Sequence, residues 1–274
     1  MIMNKTEVTV IMVSFHSQSL IEKTINFISK EIEIIVIENS NSYECKEFLE
    51  KKYKNVKVIL NKNRGFGQAA NLGVKNCKSK YILFSSPDIV FKVDPIKSFT
   101  NLASKLENKF GLLIPSNIIK KNMSLIKKSF GTPIMFVERK KFLQINGYDE
   151  NFFLYFEDTD LIQRFLKKNE LVYKIPLNFI HKFGSHDKVY NNEIELNRNW
   201  HYMWSKFYYL KKTEGIFFAY TNTLPTLFRA FIKSCFFYLI NNNKYFIYKA
   251  RFSGLINSYF NKKSWYRPQI QLNE

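Results

Sequence analysis

The chain is poor in glycine and proline, with nine and seven residues in 274. That scarcity excludes collagen-like and low-complexity architectures, whose backbones depend on those residues. The three cysteines, Cys45, Cys77 and Cys235, are an odd number at wide spacing. They fit neither a disulfide framework nor a zinc site, which predicts reduced, inert thiols. The opening residues 1–15 (MIMNKTEVTVIMVSF) offer no small-residue cleavage site after an apolar stretch. No signal peptide is therefore expected, and the expected location is the cytoplasm. Acidic residues are sparse as well: 23 Asp and Glu face 42 Lys and Arg, for a formal net charge of +19. Such a surface attracts nucleic acid, anionic lipid and phosphate-bearing substrates alike, so charge alone selects no partner.

What is present suffices for a folded core. Hydrophobic residues make up 46% of the chain and charged residues 24%, and the length accommodates one large α/β domain with an appendage. Residues 8–15 (VTVIMVSF) form a continuous apolar, β-branched run of strand length, followed by Leu20, Ile21, Ile25 and Ile28 at helical spacing. Residues 32–37 (IEIIVI) and 56–60 (VKVIL) read as the second and third strands, with a helix around Cys45, Phe48 and Leu49 between them. Further strands are predicted at 81–84, 111–115 and 131–137, a helix at 95–106, and one last strand over 175–180. Strands alternating with helices imply right-handed crossovers and a parallel sheet. Ligands of such sheets bind beyond the carboxyl ends of the strands, which singles out the polar tails at His16-Ser17, Glu38-Asn39 and residues 61–64.

Residues 63–73 (NRGFGQAANLG) begin as a glycine-containing loop and become a helix, whose amides together with Arg64 can face a diphosphate. The glycines at 65, 67 and 73 do not make G-x-G-x-x-G, and no Lys-Ser/Thr follows as in a P-loop, which argues against NAD and ATP. Residues 85–89 (SSPDI) place Asp88 at the end of a central strand, where a lone Asp can equally be a turn residue. The densest feature is 147–161 (GYDENFFLYFEDTDL), with five carboxylates interleaved with aromatics. Glu157 and Asp158 fall in the first turn of the following helix, where the dipole favours negative charge, so helix capping alone is an alternative account of them. Asp160 is expected to fix the helix start, and His186 and His201 to be packing or surface residues.

From Trp200 the pattern changes to aromatics mixed with Lys and Arg. Residues 224–240 (LPTLFRAFIKSCFFYLI) are too short and too charged for a confident spanning helix. They read as amphipathic, suited to a membrane surface, or else to packing on the preceding domain or in a homodimer.

The segments VTVIMVSFHS, VIENS, NRGFGQAANLG, SSPDI, GTPIMFVERK, GYDENFFLYFEDTDLIQR, HKFGS and NRNWHYMWSKFYYLKK occur in this order. Together they resemble the nucleotide-sugar glycosyltransferases of family 2, especially the rhamnosyltransferase-like branch, over about residues 8–212. The resemblance implies a GT-A, Rossmann-like α/β fold with a mostly parallel central sheet flanked by helices. The catalytic domain would cover 1–212, and a C-terminal amphipathic helical extension 213–274. It implies a metal-dependent, inverting hexosyltransferase with L-rhamnose from dTDP-rhamnose as the favoured donor and UDP- or GDP-sugars as alternatives. The acceptor would be a hydroxyl of a surface glycan (O-antigen, capsule or other cell-envelope polysaccharide), in many such enzymes lipid-linked. The membrane-surface reading of the amphipathic tail adds a peripheral place on the inner face of the cell membrane to the expected cytoplasmic location.

Residue by residue, the resemblance assigns the nucleoside to Ser14, His16, Glu38 and Asn39, although family members usually carry Asn at position 16 and Asp at position 38. Arg64, Gly65 and Asn71 lie in the loop beside ribose and diphosphate. The family's Asp-x-Asp motif is reduced to Ser86-Pro87-Asp88, which leaves Asp88, with His181, to hold Mn²⁺ or Mg²⁺. Asp158 matches the catalytic base, with Glu157 as the alternative. Two other readings follow from the same residues: a nucleic-acid-binding protein, which leaves the strand-end carboxylates unexplained, and an inactive transferase-like scaffold, motivated by the shortened metal motif. On the enzyme reading no nucleic-acid partner is expected.

Overall fold

The computed structural model describes residues 7–116, 123–181 and 191–266. The chain divides into two compact units: residues 1–149 with 158–187, and residues 150–157 with 188–274. By packing, the first helix after the sheet therefore groups with the C-terminal helices, and the units part near residue 187.

The first unit is built on an eight-stranded sheet of order β3-β2-β1-β4-β8-β6-β9-β7. Strands β1 (Val8–Ser14), β2 (Glu33–Glu38), β3 (Val56–Leu60) and β4 (Tyr81–Ser85) form its parallel half. Beyond β4 the sheet is mixed. Strand β8 (Ile134–Glu138) runs antiparallel to both β4 and β6 (Leu112–Ser116), while β6 pairs parallel with β9 (Val172–Pro176) and β7 (Ser124–Leu125) closes the edge antiparallel to β9.

Strand alternation distributes the apolar residues to two faces. Val8, Val10, Met12, Ile34 and Val36 face a core shared with helices α1 (Gln18–Ile25), α2 (Tyr43–Lys52) and α4 (Pro95–Lys105). Ile11, Ile35 and Ile37 face the opposite core, filled by α3 (Phe66–Lys75), α5 (Arg139–Gln144) and α6 (Glu157–Lys167). Both faces of the central strands are thus covered, which is why these segments read as unbroken apolar runs.

The stretch expected as one last strand is two strands in different sheets. Strand β9 ends at Pro176, and β10 (Phe179–His181) pairs antiparallel with β5 (Ile89–Phe91) in a separate ribbon. A proline removes a ladder donor, and the break at Leu177-Asn178 lets the chain leave the main sheet.

The second unit contains α7 (Asn191–Glu214), α8 (Ile216–Leu239) and α9 (Lys244–Tyr259). Trp200 and Trp204 of α7 pack with Ala250 of α9. Trp200 Nε1 donates to Ser253 Oγ at 3.1 Å, and Ser258 Oγ donates to the Trp204 carbonyl at 2.9 Å. Segment 150–157 joins this packing: Phe152 meets Tyr208 at a ring separation of 4.9 Å, and Ser205 Oγ donates to the Leu154 carbonyl at 2.9 Å. His201 is a packing residue, as expected. It is buried, stacks on Phe153 at 4.3 Å and has both ring nitrogens within 2.9 Å of Ser264 Oγ and the Tyr266 carbonyl. His186 and the rest of the segment after His181 lie outside the described residues.

Candidate active site

The strand ends of the parallel half hold the first cluster. Ser14 is the last residue of β1 and Glu38 the last of β2, and their registers match. The Asn39 amide donates to the Ser14 carbonyl at 2.8 Å, and the Asn61 amide to the Glu38 carbonyl at 3.0 Å, so the three strands finish level. Asn61 Nδ2 then bridges Asn39 Oδ1 (2.7 Å) and Gln68 Oε1 (3.0 Å), fastening β2 to the start of α3. Gln68 was not singled out from the sequence; its position in the first turn of α3 was the available signal.

The Glu38 carboxylate is buried and turned into its own loop. Its Oε1 accepts from the Ser40 amide at 2.8 Å and from the Ser40 hydroxyl, and Cys45 Sγ lies 3.8 Å from Oε2. Burial, with the neighbouring Glu38 charge, pushes the Cys45 thiol up to about 12, so it stays a protonated donor. Ser14 Oγ is buried without a hydrogen-bond partner among the described residues. His16 sits in the β1–α1 turn at φ +49, a left-handed conformation that His, like Asn and Asp, adopts more readily than most residues.

In the next loop, Gly65 precedes α3 at φ +106, Arg64 is exposed, and Asn63 Oδ1 accepts from the Gly65 amide at 3.2 Å. Asn71 is a strut. Its amide exchanges two hydrogen bonds of 2.9 Å with the Tyr148 backbone, next to Gly147 at φ +59, where a Cβ would collide with Asn71 Oδ1. Asn71 therefore fixes the loop that leads toward the acidic block.

The second cluster surrounds Asp88. Thr24 Oγ1 lies 2.8 Å from the Pro87 carbonyl and 2.6 Å from that of Ile89, which locks the turn from α1. Within the turn, Ser86 Oγ donates to Asp88 Oδ1 at 2.5 Å. Strand pairing supplies the histidine: His181 is opposite Ile89 in the β10–β5 ribbon, so its imidazole falls beside Asp88, with Nε2 3.1 Å from Oδ2. Asp88 is only 3% exposed, and His181 is half-buried.

The third cluster is the acidic end of α6. The Thr132 amide donates to Asp158 Oδ2 at 2.6 Å, while the Thr159 amide (2.7 Å) and hydroxyl (3.3 Å) contact Oδ1. A Cβ on Gly131 would stand 3.3 Å from Oδ2, so glycine keeps this approach open. Asp158 retains some exposed surface. Burial of the carboxyl nevertheless pushes its pKa above the ordinary carboxylate range, against hydrogen bonds that favour the charged form. One residue further, the Pro133 carbonyl accepts from the Ser86 amide at 3.0 Å. Residues 131–133 therefore tie the base candidate to the Asp88 turn. That role of Thr132 was missed in the sequence, where the segment reads only as the entry to β8.

The neighbouring carboxylates differ. Glu157 is buried at 7% exposure and belongs to the second unit by packing. Asp160 is buried and pairs with Arg164 Nε at 2.8 Å, while Arg164 Nη1 donates to the Ile145 carbonyl. Asp160 thus clamps α6 to the end of α5 through Arg164. Tyr155 and Phe156, just ahead, are both left-handed at φ +68. Bulky residues in that region cost roughly 1–3 kcal/mol each. Ring contacts with Tyr202 and Tyr209 hold them there.

The sequence profile described as Glycosyl transferase family 2 matches residues 9–166, from β1 into the last turn of α6. The chain belongs to glycosyltransferase family 2. It is similar to the rhamnosyltransferase WbbL of Escherichia coli (strain K12), 24% identical over 224 residues, covering 66% of this chain and 84% of the relative. Among solved structures it is similar to the mannosyltransferase PcManGT from Pyrobaculum calidifontis in complex with GDP-Man and Mn²⁺: TM-score 0.58, 11% identical, covering 94% of this chain and 88% of that one. GalNAc-T7 with UDP, GalNAc and Mn²⁺ gives a TM-score of 0.57 at 14% identity, covering 77% of this chain and 51% of that one. This family 2 glycosyltransferase thus has the GT-A fold that its sequence resemblance implied, with helices following the sheet.

Proposed function

We propose that this family 2 glycosyltransferase is an inverting enzyme that transfers a sugar from a nucleoside diphosphate to a hydroxyl of a surface glycan, with Asp158 as general base. The observation that carries the proposal is the 131–133 bridge. It holds a carboxylate, its pKa raised by burial, through the Thr132 amide and the Asp88 turn through the Pro133 carbonyl. Base catalysis needs a carboxylate that accepts a proton from a hydroxyl of much higher pKa, and a raised carboxylate is the better acceptor. Asp158 takes that proton as the acceptor oxygen bonds to the anomeric carbon. The bond from that carbon to the phosphate oxygen breaks on the opposite face, and the configuration inverts. Glu157, more deeply buried, is the weaker candidate.

The Asp88–His181 pair fits a divalent cation. Its two donor atoms are 3.1 Å apart, the spacing of adjacent ligands on one octahedral ion, about 3 Å for bonds of about 2.1 Å. No group of three or more such side chains occurs among the described residues, so the remaining ligands would be donor phosphate oxygens and water. When bound, Mn²⁺ or Mg²⁺ neutralises charge developing on the leaving diphosphate. Ser86 orients Asp88, and the α3 N-terminus with Arg64 supplies further positive potential for the diphosphate. Ser14, His16, Glu38 and Asn39 line the nucleoside end, with Glu38 held by Ser40 and Cys45.

The likeness to the E. coli rhamnosyltransferase favours rhamnose as the sugar, and the sequence resemblance favours dTDP-L-rhamnose as its donor form. The reading is tested by thermal denaturation with dTDP, UDP or GDP, each with Mn²⁺, Mg²⁺ or EDTA, because a ligand specific for the folded state raises its apparent stability. A metal-dependent rise with dTDP is expected. A rise restricted to UDP or GDP would replace the donor, and no rise with any nucleotide would overturn the transferase site.

A further inference from the structure

Helix α8 buries only one side. Ala219, Thr223 and Ala230 are buried, whereas Phe217, Leu224, Phe228, Phe231 and Leu239 are 81%, 38%, 63%, 51% and 81% exposed. At roughly 100° per residue these five fall within about 40° of one line along the helix, and the buried three lie roughly 140° round from it. The exposure is therefore a continuous apolar stripe rather than scattered surface residues, and a stripe of this kind marks an interaction site.

Charge identifies what covers it. Across residues 215–273 there is no Asp or Glu, while Arg229, Lys233, Lys244, Lys249, Lys262 and Lys263 are all exposed. A second copy docked two-fold on this face would bring two such carboxylate-free surfaces together, with like charges opposed and no acid to answer them. A surface of anionic phosphates answers both features: it receives the apolar stripe and neutralises the basic residues. Aromatic side chains suit the boundary between headgroups and acyl chains. No described helix is long and apolar enough to cross a membrane, so the mode is lying in the interface rather than spanning it.

We infer that the exposed face of α8 docks this protein on an anionic lipid bilayer, with Phe217, Phe228, Phe231 and Leu239 inserted at the acyl boundary and the exposed Lys and Arg of residues 215–273 drawn to the headgroup phosphates. The inference stands on the helical unit alone and does not depend on the donor, metal or base proposed above.

The experiment is flotation of the full chain with vesicles of phosphatidylcholine alone and of phosphatidylcholine mixed with phosphatidylglycerol, at low and high salt. Flotation with the anionic vesicles, falling steeply as salt rises, is expected. Phe228→Glu with Phe231→Glu should weaken it by about tenfold or more, since it removes the apolar anchor and adds repulsion. Both positions are exposed, so an unchanged melting temperature is expected of that variant, and Lys244→Glu with Lys249→Glu provides an independent test of the charge contribution. Failure to float with either vesicle would overturn the inference. So would equal, salt-insensitive flotation with neutral vesicles, or undiminished flotation of both variants. Sedimentation showing a dimer that the Phe variant abolishes, with no vesicle binding, would assign the face to a second copy instead.

Discussion

The two compact units use the same residue types to opposite ends. In the sheet unit, apolar residues alternate into two cores, and the acidic groups Glu38, Asp88, Asp158 and Asp160 are drawn inward to defined partners. In the helical unit, aromatic residues stand in solvent along α8, and residues 215–273 hold eight of the 42 Lys and Arg but no acid. The net charge of +19 is therefore not a uniform coating: every Asp and Glu but the last residue, Glu274, lies before residue 215, and the 59 residues from 215 to 273 carry basic charge alone. The contrast separates two meanings of a basic sequence that composition merges, attraction of a diphosphate to one place and attraction of a whole protein to an anionic plane.

The largest expected effect breaks the sheet unit's side of the contrast. Asp158→Asn should lower transfer by roughly 10²–10⁴-fold, the usual worth of a general base, while nucleotide-dependent stabilisation persists; transfer at the original rate would remove Asp158 as the base. Next, Asp88→Ala and His181→Ala should each abolish the Mn²⁺-dependent part of the nucleotide-induced rise in melting temperature, and a rise that keeps its EDTA sensitivity would separate that pair from the metal. A smaller effect concerns pH. Because the folded pKa of Asp158 is raised, the folded state holds this proton more tightly than the unfolded one, so this group's contribution favours folding at low pH and turns against it as pH rises through the folded value. The acid limb of the transfer rate should accordingly lie above the ordinary aspartate range, and Asp158→Asn should melt higher than the parent at neutral pH, with less difference in acid. Thr159→Val, which removes one hydrogen bond favouring the charged form, should move that limb slightly further up. Smallest of all, Cys45→Ser keeps a donor near Glu38 and should leave transfer within about twofold, as an inert thiol requires.

Much of the sheet unit was legible because buried parallel strands leave continuous apolar runs: residues 56–60 were bounded correctly, and 8–15 and 81–84 to within one residue. Strand direction was not legible. A run covered on both faces looks the same whichever way it points, so the reversal of β8 between β4 and β6 had no local mark. Asp88, His181 and Asp158 stood out as candidates by motif order. Their supports did not, because the Thr132 amide and the ribbon register that sets His181 beside Asp88 are backbone features without a side-chain signature. The grouping of α7 with the C-terminal helices was equally hidden, since aromatic spacing along one helix does not name the helix it meets.

Segment 150–157 carries one consequence for how this protein can be divided. It packs with the helical unit, yet Asp158, the very next residue, belongs to the sheet unit, and the chain passes between the units near 149, 157 and 187. Removing the C-terminal helices would strip Phe152, Tyr155 and Phe156 of the rings that hold them, immediately before the proposed base. The two units are therefore not interchangeable cassettes: a chimera joined at a single point would inherit the carboxylate from one parent and the left-handed residues leading into it without their support from the other.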